Sequence, residues 1–237
     1  MLRTLVHLSA VLACACLLTG CYTMGLHETA RTAPPGAFEG GGILTPVFVS
    51  LDSGAGGIVV FPYPELYGKV GLSDNFDLGI RWAFGPGLGV DGKYRFVSKG
   101  VEVAARLGTS FYGFYGSGIG IGYYTLSPRV VVSQEPESGL PWAFNAGVDY
   151  FGMFASVEQE GAGAGMLSLR AGAGLPFRVV RSLRIMPEVD VSVPLVGSFS
   201  PGGGIEFLPG GGAILTLGIS IGRVVNEEEA SGGWWKP

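Results

Sequence analysis

The side chains that most often carry out catalysis or bind metals, cysteine and histidine, are few in this chain and lie near its beginning. The 237 residues include three cysteines, Cys14, Cys16 and Cys21, and two histidines, His7 and His27. Nucleophilic catalysis needs a nucleophile with a positioned base, and no histidine follows position 27 to act as that base. We therefore expect no enzymatic activity.

Carboxylates and glycines offer little other chemistry. Without Cys or His pairs only carboxylates could bind a metal, and the run Glu227, Glu228, Glu229 is typical of a solvated tail. The glycine runs at residues 202–204 and 210–212 lack the Lys-Ser/Thr pair of a phosphate-binding loop. We expect neither a metal nor another cofactor.

The first 21 residues have the features of a processed and lipidated N-terminus. Arg3 precedes an apolar run over residues 5–18, which is shorter than the about 20 residues of a membrane-spanning helix and indicates a signal peptide. The sequence LTGC that ends in Cys21 resembles the lipobox of bacterial lipoproteins. This resemblance implies cleavage after residue 20 and a covalent lipid on Cys21, and Tyr22 in the next position favours sorting to the outer membrane.

The composition excludes several classes of protein. Glycine accounts for 42 residues, 14% of the chain is charged, 47% is hydrophobic and the net charge is −4. Disorder requires low hydrophobicity with high net charge, and collagen requires glycine at every third position. Nucleic-acid binding usually requires a basic patch. We expect a folded chain without a nucleic-acid partner.

Apolar and polar residues alternate along most of the chain after residue 36. Over residues 76–84 every second residue is large and apolar, while Asp77, Gly79, Arg81 and Ala83 lie between them. A period of two predicts a strand with one apolar face. The same reading predicts about ten strands, at residues 37–50, 64–72, 75–84, 88–97, 100–113, 118–132, 141–154, 164–175, 183–195 and 212–224.

The connections between these strands alternate in length. The even-numbered ones have eight residues or fewer, whereas the odd-numbered ones include residues 51–63, 155–163 and 196–211. Outer-membrane barrels have short periplasmic turns and longer outer loops. We therefore predict an all-β fold, a closed antiparallel up-and-down transmembrane β-barrel of about ten strands, with both chain ends on the periplasmic side.

Charged residues gather on one face of the predicted strands and leave the apolar face almost free of charge. In a membrane barrel the apolar face contacts lipid and the other face lines the lumen. The sequence predicts a lumen with seven bases and seven acids: Lys69, Arg81, Lys93, Arg95, Arg106, Arg170 and Arg184, with Glu65, Asp77, Asp91, Glu102, Asp149, Glu188 and Asp190.

Two segments carry a family resemblance. The run LYGKVGLSDNFDLGIR at residues 66–81 and the run DGKYRF at residues 91–96 resemble small bacterial outer-membrane β-barrel proteins of the porin-like superfamily. Residues 29–32 and 36–42 are similar to the segment that leads into the barrel in lipid-anchored members. The resemblance implies the barrel architecture and no particular activity. Such barrels commonly end on an aromatic residue, whereas this chain continues past Val225 to Pro237.

These observations predict four segments: a signal peptide at residues 1–20, a flexible lipid-anchored leader at 21–36, the barrel at 37–225 and a tail at 226–237. About ten strands enclose a lumen that is narrow or plugged. A structural or surface-interaction role through the long outer loops is the first hypothesis, with membrane lipid and a possible surface partner as contacts. The alternatives are a small, weakly selective pore and a soluble, lipid-tethered periplasmic barrel that binds an apolar ligand.

Overall fold

The structure is a computed structural model that describes residues 28–51, 57–83, 87–116, 119–135, 139–157, 160–180, 183–200, 204–206 and 214–223. The predicted signal peptide, Cys21, His27 and the predicted tail at residues 226–237 lie outside the described residues. No helix among the described residues has the length and apolar character that a membrane span requires.

Extended chain forms nearly all of the described structure. The strands are β1 (Phe38–Leu51), β2 (Gly57–Ser73), β3 (Phe76–Ala83), β4 (Gly87–Val97), β5 (Glu102–Gly116), β6 (Ile119–Gln134), β7 (Trp142–Val157), β8 (Glu160–Gly174), β9 (Phe177–Val180), β10 (Leu183–Ser200), β11 (Gly204–Glu206) and β12 (Ile214–Arg223).

The sheet closes on itself. Strands β1 to β8 pair each with the next, β8 pairs with β10, β10 with β12, and β12 with β1, where Gly40 lies opposite Arg223. All these pairings are antiparallel, and the ring contains ten strands. The short strands β9 and β11 pair with the two ends of β10, β9 on the side of β8 and β11 on the side of β12. The prediction of a closed antiparallel barrel of about ten strands is confirmed.

The two faces of the wall differ in polarity. On β12 the side chains of Thr216 and Ser220 are buried, while those of Leu217, Ile219 and Ile221 are each about half exposed. The buried members point into the barrel, because side chains of a strand alternate between its two faces. The polar face is therefore inside and the apolar face outside, the reverse of a water-soluble barrel.

The barrel has two different ends. We call the end with the connections at residues 74–75, 98–101 and 135–141 the turn end, and the opposite end the loop end. At the loop end the strands run further than predicted, because β2 begins at Gly57, β7 continues to Val157, β8 begins at Glu160 and β10 reaches Ser200. The predicted outer loops at 51–63, 155–163 and 196–211 are wrong in these bounds, since long parts of them belong to the wall.

Residues 28–36 run from the turn end into the barrel, and we call them the plug. Glu28, Thr29, Ala30, Thr32 and Ala33 are all buried. The prediction of a flexible leader at residues 21–36 is wrong for this part of it, and residues 21–27 are outside the described residues. The plug enters at the turn end, where Gly36 donates a backbone hydrogen bond to the carbonyl of Gly71 at 2.8 Å.

Candidate functional site

The structure places the predicted lumen residues on the inner face of the wall. Twelve of them are buried: Glu65, Lys69, Asp77, Arg81, Asp91, Lys93, Arg106, Asp149, Arg170, Arg184, Glu188 and Asp190. The other two, Arg95 and Glu102, lie at the turn end with side chains 16% and 19% exposed, where Arg95 Nη1 is 3.2 Å from Glu102 Oε1. The strand alternation brings most of these charges together in one narrow interior.

Sequence reasoning missed two buried charges. Arg129 lies on β6 directly opposite Arg106 of β5, and its Nη2 donates to both carboxylate oxygens of Asp149, at 3.0 and 2.9 Å. Glu28 belongs to the plug, which no strand pattern covers. With them, the buried charges of the described residues number seven acids and seven bases. Arg129 shares the inner face of β6 with Ser127 and Ser133, at spacings of two and four residues. This spacing is a signal that could have placed Arg129 in the lumen.

Glu28 is the centre of the larger charge cluster. Its carboxylate is 2.5 Å from Lys69 Nζ, 3.4 Å from Lys93 Nζ and 3.5 Å from Arg106 Nε, and it also pairs with Arg81. Burial by itself raises the pKa of Glu28, but these four cations outweigh burial and hold the pKa well below its usual range. Glu28 therefore stays ionised, and one plug carboxylate links strands β2, β3, β4 and β5.

The neighbouring wall residues complete this cluster. Asp91 lies 3.2 Å from Arg81 Nε and 3.3 Å from Arg106 Nη2, and Asp77 lies 3.3 Å from Lys93 Nζ. Each of these cations thus contacts at least one wall carboxylate in addition to Glu28. A buried charge is tolerated when it is paired and hydrogen-bonded, and the plug supplies part of that pairing.

A second cluster lies on the other side of the barrel. Asp149 accepts hydrogen bonds from Arg129 and, at 3.4 Å, from Arg170 Nη1, and Arg170 Nε is 3.4 Å from Asp190. Asn145 donates to Glu188 at 3.0 Å. This cluster ties β6, β7, β8 and β10 together.

Side chains of the wall also form hydrogen bonds with the backbone of the plug. Ala30 N donates to Ser133 Oγ at 2.9 Å, and Ala33 N donates to Asp77 Oδ2 at 3.2 Å. Lys93 Nζ donates to the carbonyls of Thr29, at 3.2 Å, and Arg31, at 2.6 Å. Buried backbone groups need such partners, so the wall satisfies the backbone of a segment that has no regular structure of its own.

Gly71 gives a way to disturb the plug without changing any charge. A Cβ at Gly71 would lie 2.6 Å from the carbonyl carbon of Pro34 and closer still to the carbonyl oxygens of Pro34 and Ala33. We expect Gly71→Ala to lower the free energy of unfolding in detergent by about 1–3 kcal/mol, because backbone on both sides must shift.

Gly92→Ala is the matched control for this substitution. Its Cβ would meet only the ring of Phe76, at 3.4 and 3.5 Å, which is ordinary contact. Equal unfolding free energies for the two variants would show that the plug does not press against Gly71.

The described residues contain no group of three or more His, Cys, Asp or Glu side chains that could hold a metal ion. The carboxylates of the interior instead face guanidinium and ammonium groups. The alternative of an interior that carries an apolar ligand does not fit this lining, since the interior that was expected to be apolar is charged.

The outer face forms an apolar belt. Its half-exposed side chains include Leu78, Ile80, Leu107, Leu126 and Ile219, and aromatic residues such as Trp82 and Phe111 lie among them. The charged side chains that are exposed in the described part of the wall and turns, Asp74, Lys99 and Arg178, all lie at the turn end. A closed barrel with an apolar outside and a polar inside defines the class of transmembrane β-barrels.

Comparison with solved structures finds similar chains at low sequence identity. Similar solved structures include the attachment invasion locus protein Ail of Yersinia pestis (13% identity, TM-score 0.42, covering 81% of this chain and 99% of that chain). The outer membrane protease OmpT from Escherichia coli has 8% identity and a TM-score of 0.43, and the match covers 83% of this chain and 98% of that chain. The translocator domain of autotransporter NalP from Neisseria meningitidis has 10% identity and a TM-score of 0.45, and the match covers 93% of this chain and 97% of that chain. No family model matches the chain, and no curated protein matches it by sequence.

Proposed function

We propose that this protein is a non-enzymatic β-barrel lipoprotein of the bacterial outer membrane, closed by its own N-terminal segment, with a structural or surface-interaction role. The plug is the observation that carries this proposal. It enters the lumen at the turn end, and Glu28 pairs there with cations of four strands. We expect a segment bound in this way to obstruct the passage of solutes.

The lipid anchor is compatible with the position of the plug. Glu28 pairs with Lys69, which is four residues from the end of β2 at Ser73, so Glu28 lies about 13 Å along the wall from the turn end. Glu28 follows Cys21 by seven positions, and this length of chain can span at most about 25 Å. A lipid on Cys21 can therefore reach the membrane surface at the turn end, which supports a periplasmic location of that end.

The loop end supports the interaction role. There β7 and β8 form a hairpin paired from Ala143–Gly174 to Val157–Glu160, and β10 runs beside β8 as far as Ser200. These long strands extend the wall beyond the much shorter β3 and β4. The predicted contact segments at 51–63, 155–163 and 196–211 belong to this projecting rim and its connections, so a surface partner would meet strands as well as loops.

Single-channel recording in planar bilayers tests the closed lumen. We expect the purified wild-type protein to insert without giving conductance steps, because the plug and the paired charges obstruct the interior. A porin reconstituted in the same way is the positive control. Reproducible steps from the wild-type protein would favour the alternative of a small, weakly selective pore.

A further inference from the structure

A small cavity lies in the lumen on the loop side of Glu28. Its volume is about 30 Å³, and its lining includes Arg81, Asp91, Arg106, Arg129 and Arg170. Arg81, Asp91 and Arg106 form its floor, since Arg81 and Arg106 also contact Glu28 from the other side. The cavity therefore begins where the plug ends.

Arg129 has hydrogen-bonding capacity that the protein does not use. Its side chain is 3% exposed and contacts Asp149 through Nη2 alone. Its Nε and Nη1 are buried and have no acceptor among the described residues. A guanidinium has five N–H donors, and leaving buried donors without an acceptor costs free energy. Arg129, which lines the cavity, thus carries donors that no described acceptor uses.

Arg129 shares its carboxylate partner with a second arginine. Asp149 pairs with both Arg129 and Arg170, and Arg170 has a further partner in Asp190. Asp91, the carboxylate in the cavity lining, is already paired with Arg81 and Arg106. The hydroxyl-bearing residues Ser110 and Thr125 lie further toward the loop end and add polar groups to the same cavity.

The cavity lies below the lowest part of the rim. Strand β3 has 8 residues and β4 has 11, whereas their neighbours β2 and β5 have 17 and 15. Gly89, which lines the cavity, is only two residues from the start of β4 at Gly87. A small solute at the loop end would therefore have a short path to Arg129.

We propose that this cavity is a binding site for one small oxyanion, such as phosphate or sulfate, or the carboxylate of a small solute. A cavity needs roughly 10–15 Å³ to hold one water molecule, so this cavity has room for about two. That space fits a single such group and excludes a sugar or a nucleotide. Arg129 is the principal donor, because charge-assisted hydrogen bonds to a guanidinium are the strongest that a side chain offers to an oxyanion. The site faces the loop end, so it is distinct from the plug.

Isothermal titration calorimetry of the full-length protein in detergent tests this site. Sodium phosphate is the probe, and sodium chloride holds the ionic strength constant. We expect saturable phosphate binding to the wild type, weakened about tenfold or more in Arg129→Gln, which retains the partner Arg170 for Asp149. The matched control is Arg178→Gln, an exposed arginine at the turn end that pairs with Glu135, and it should bind phosphate as the wild type does.

Absence of saturable binding to the wild type, or unchanged binding by Arg129→Gln, would overturn the proposal. If Arg129→Gln does not fold, Gly89→Ala replaces it, because its Cβ reduces the cavity and lies 3.2 Å from the Thr109 carbonyl and 3.4 Å from Ser110 Cβ. Weakened binding by Gly89→Ala supports the site and unchanged binding excludes it. None of these results depends on whether the barrel conducts.

Discussion

Glu28→Gln is expected to lower the free energy of unfolding in detergent by about 3–5 kcal/mol. This range is typical for removing one partner of a buried ion pair, because the remaining charges stay buried without compensation. Here four cations lose a carboxylate that lies within 3.5 Å of Lys69, Lys93 and Arg106 and also pairs with Arg81. Chemical denaturation followed by tryptophan fluorescence measures the change.

Hydrogen exchange of the plug amides tests whether the loss of the Glu28 charge releases the plug. The amides of Ala30 and Ala33 donate to wall side chains, so they should exchange slowly in the wild type and much faster in Glu28→Gln if the plug is released. Glu102→Gln is the control, since Glu102 has one ion pair at the turn end and a partly exposed side chain. An unfolding free energy of Glu28→Gln equal to that of Glu102→Gln would contradict the central role of Glu28.

The lowered pKa of Glu28 determines how its contribution to the free energy of unfolding depends on pH. A carboxylate whose pKa is lower in the folded state than in the unfolded state stabilises the fold above its unfolded pKa. Four surrounding cations lower the pKa of Glu28 against the effect of burial. Its contribution is therefore complete at neutral pH and is lost only as the pH falls through the lowered pKa.

Leu126→Arg is expected to destabilise the barrel in a lipid bilayer by about 2–4 kcal/mol, the cost of an arginine on the lipid face near the midplane. Leu126 lies in the middle of β6 on the outer face, with 45% of its side chain exposed. The same change at an exposed site of a water-soluble protein costs little, within about 0.5 kcal/mol. Unfolding titrations in lipid vesicles measure the difference.

Leu140→Arg provides the matched control. Leu140 is 62% exposed and lies in the turn-end connection between β6 and β7, outside the wall. Its substitution should leave stability close to that of the wild type. If Leu126→Arg were tolerated as well as Leu140→Arg, the apolar belt would not lie in lipid.

The strands and the faces of their residues could be predicted because both depend on local pattern. A period of two assigns every second residue to one face wherever the chain is extended, and Asp77 and Arg81, assigned to the polar face in this way, are buried. The same rule could not fix strand ends at the loop end, where β7 and β8 continue into a predicted loop. Gly161, Gly163 and Gly165 hide the alternation there, since glycine has no side chain to reveal a face.

Proline also limited what the pattern could reveal. Pro194 lies on β10, and the register with β8 shifts between Pro194 and Val196. Proline has no amide hydrogen to donate to a ladder, which explains the irregularity. The paired strands on both sides nevertheless keep β10 in the sheet, so tertiary pairing outweighs the local preference.

The sequence by itself determined the approximate number of strands in the ring, the polarity of their faces and an inner face rich in charge, because these depend on the order of neighbouring residues. Only the tertiary structure decided that the sheet closes between β1 and β12 and that the plug enters its interior. Glu28 meets Arg81 and Lys93 across 53 and 65 positions of the chain. No local pattern encodes such a meeting, because it exists only once the closed wall has brought its cations around the plug.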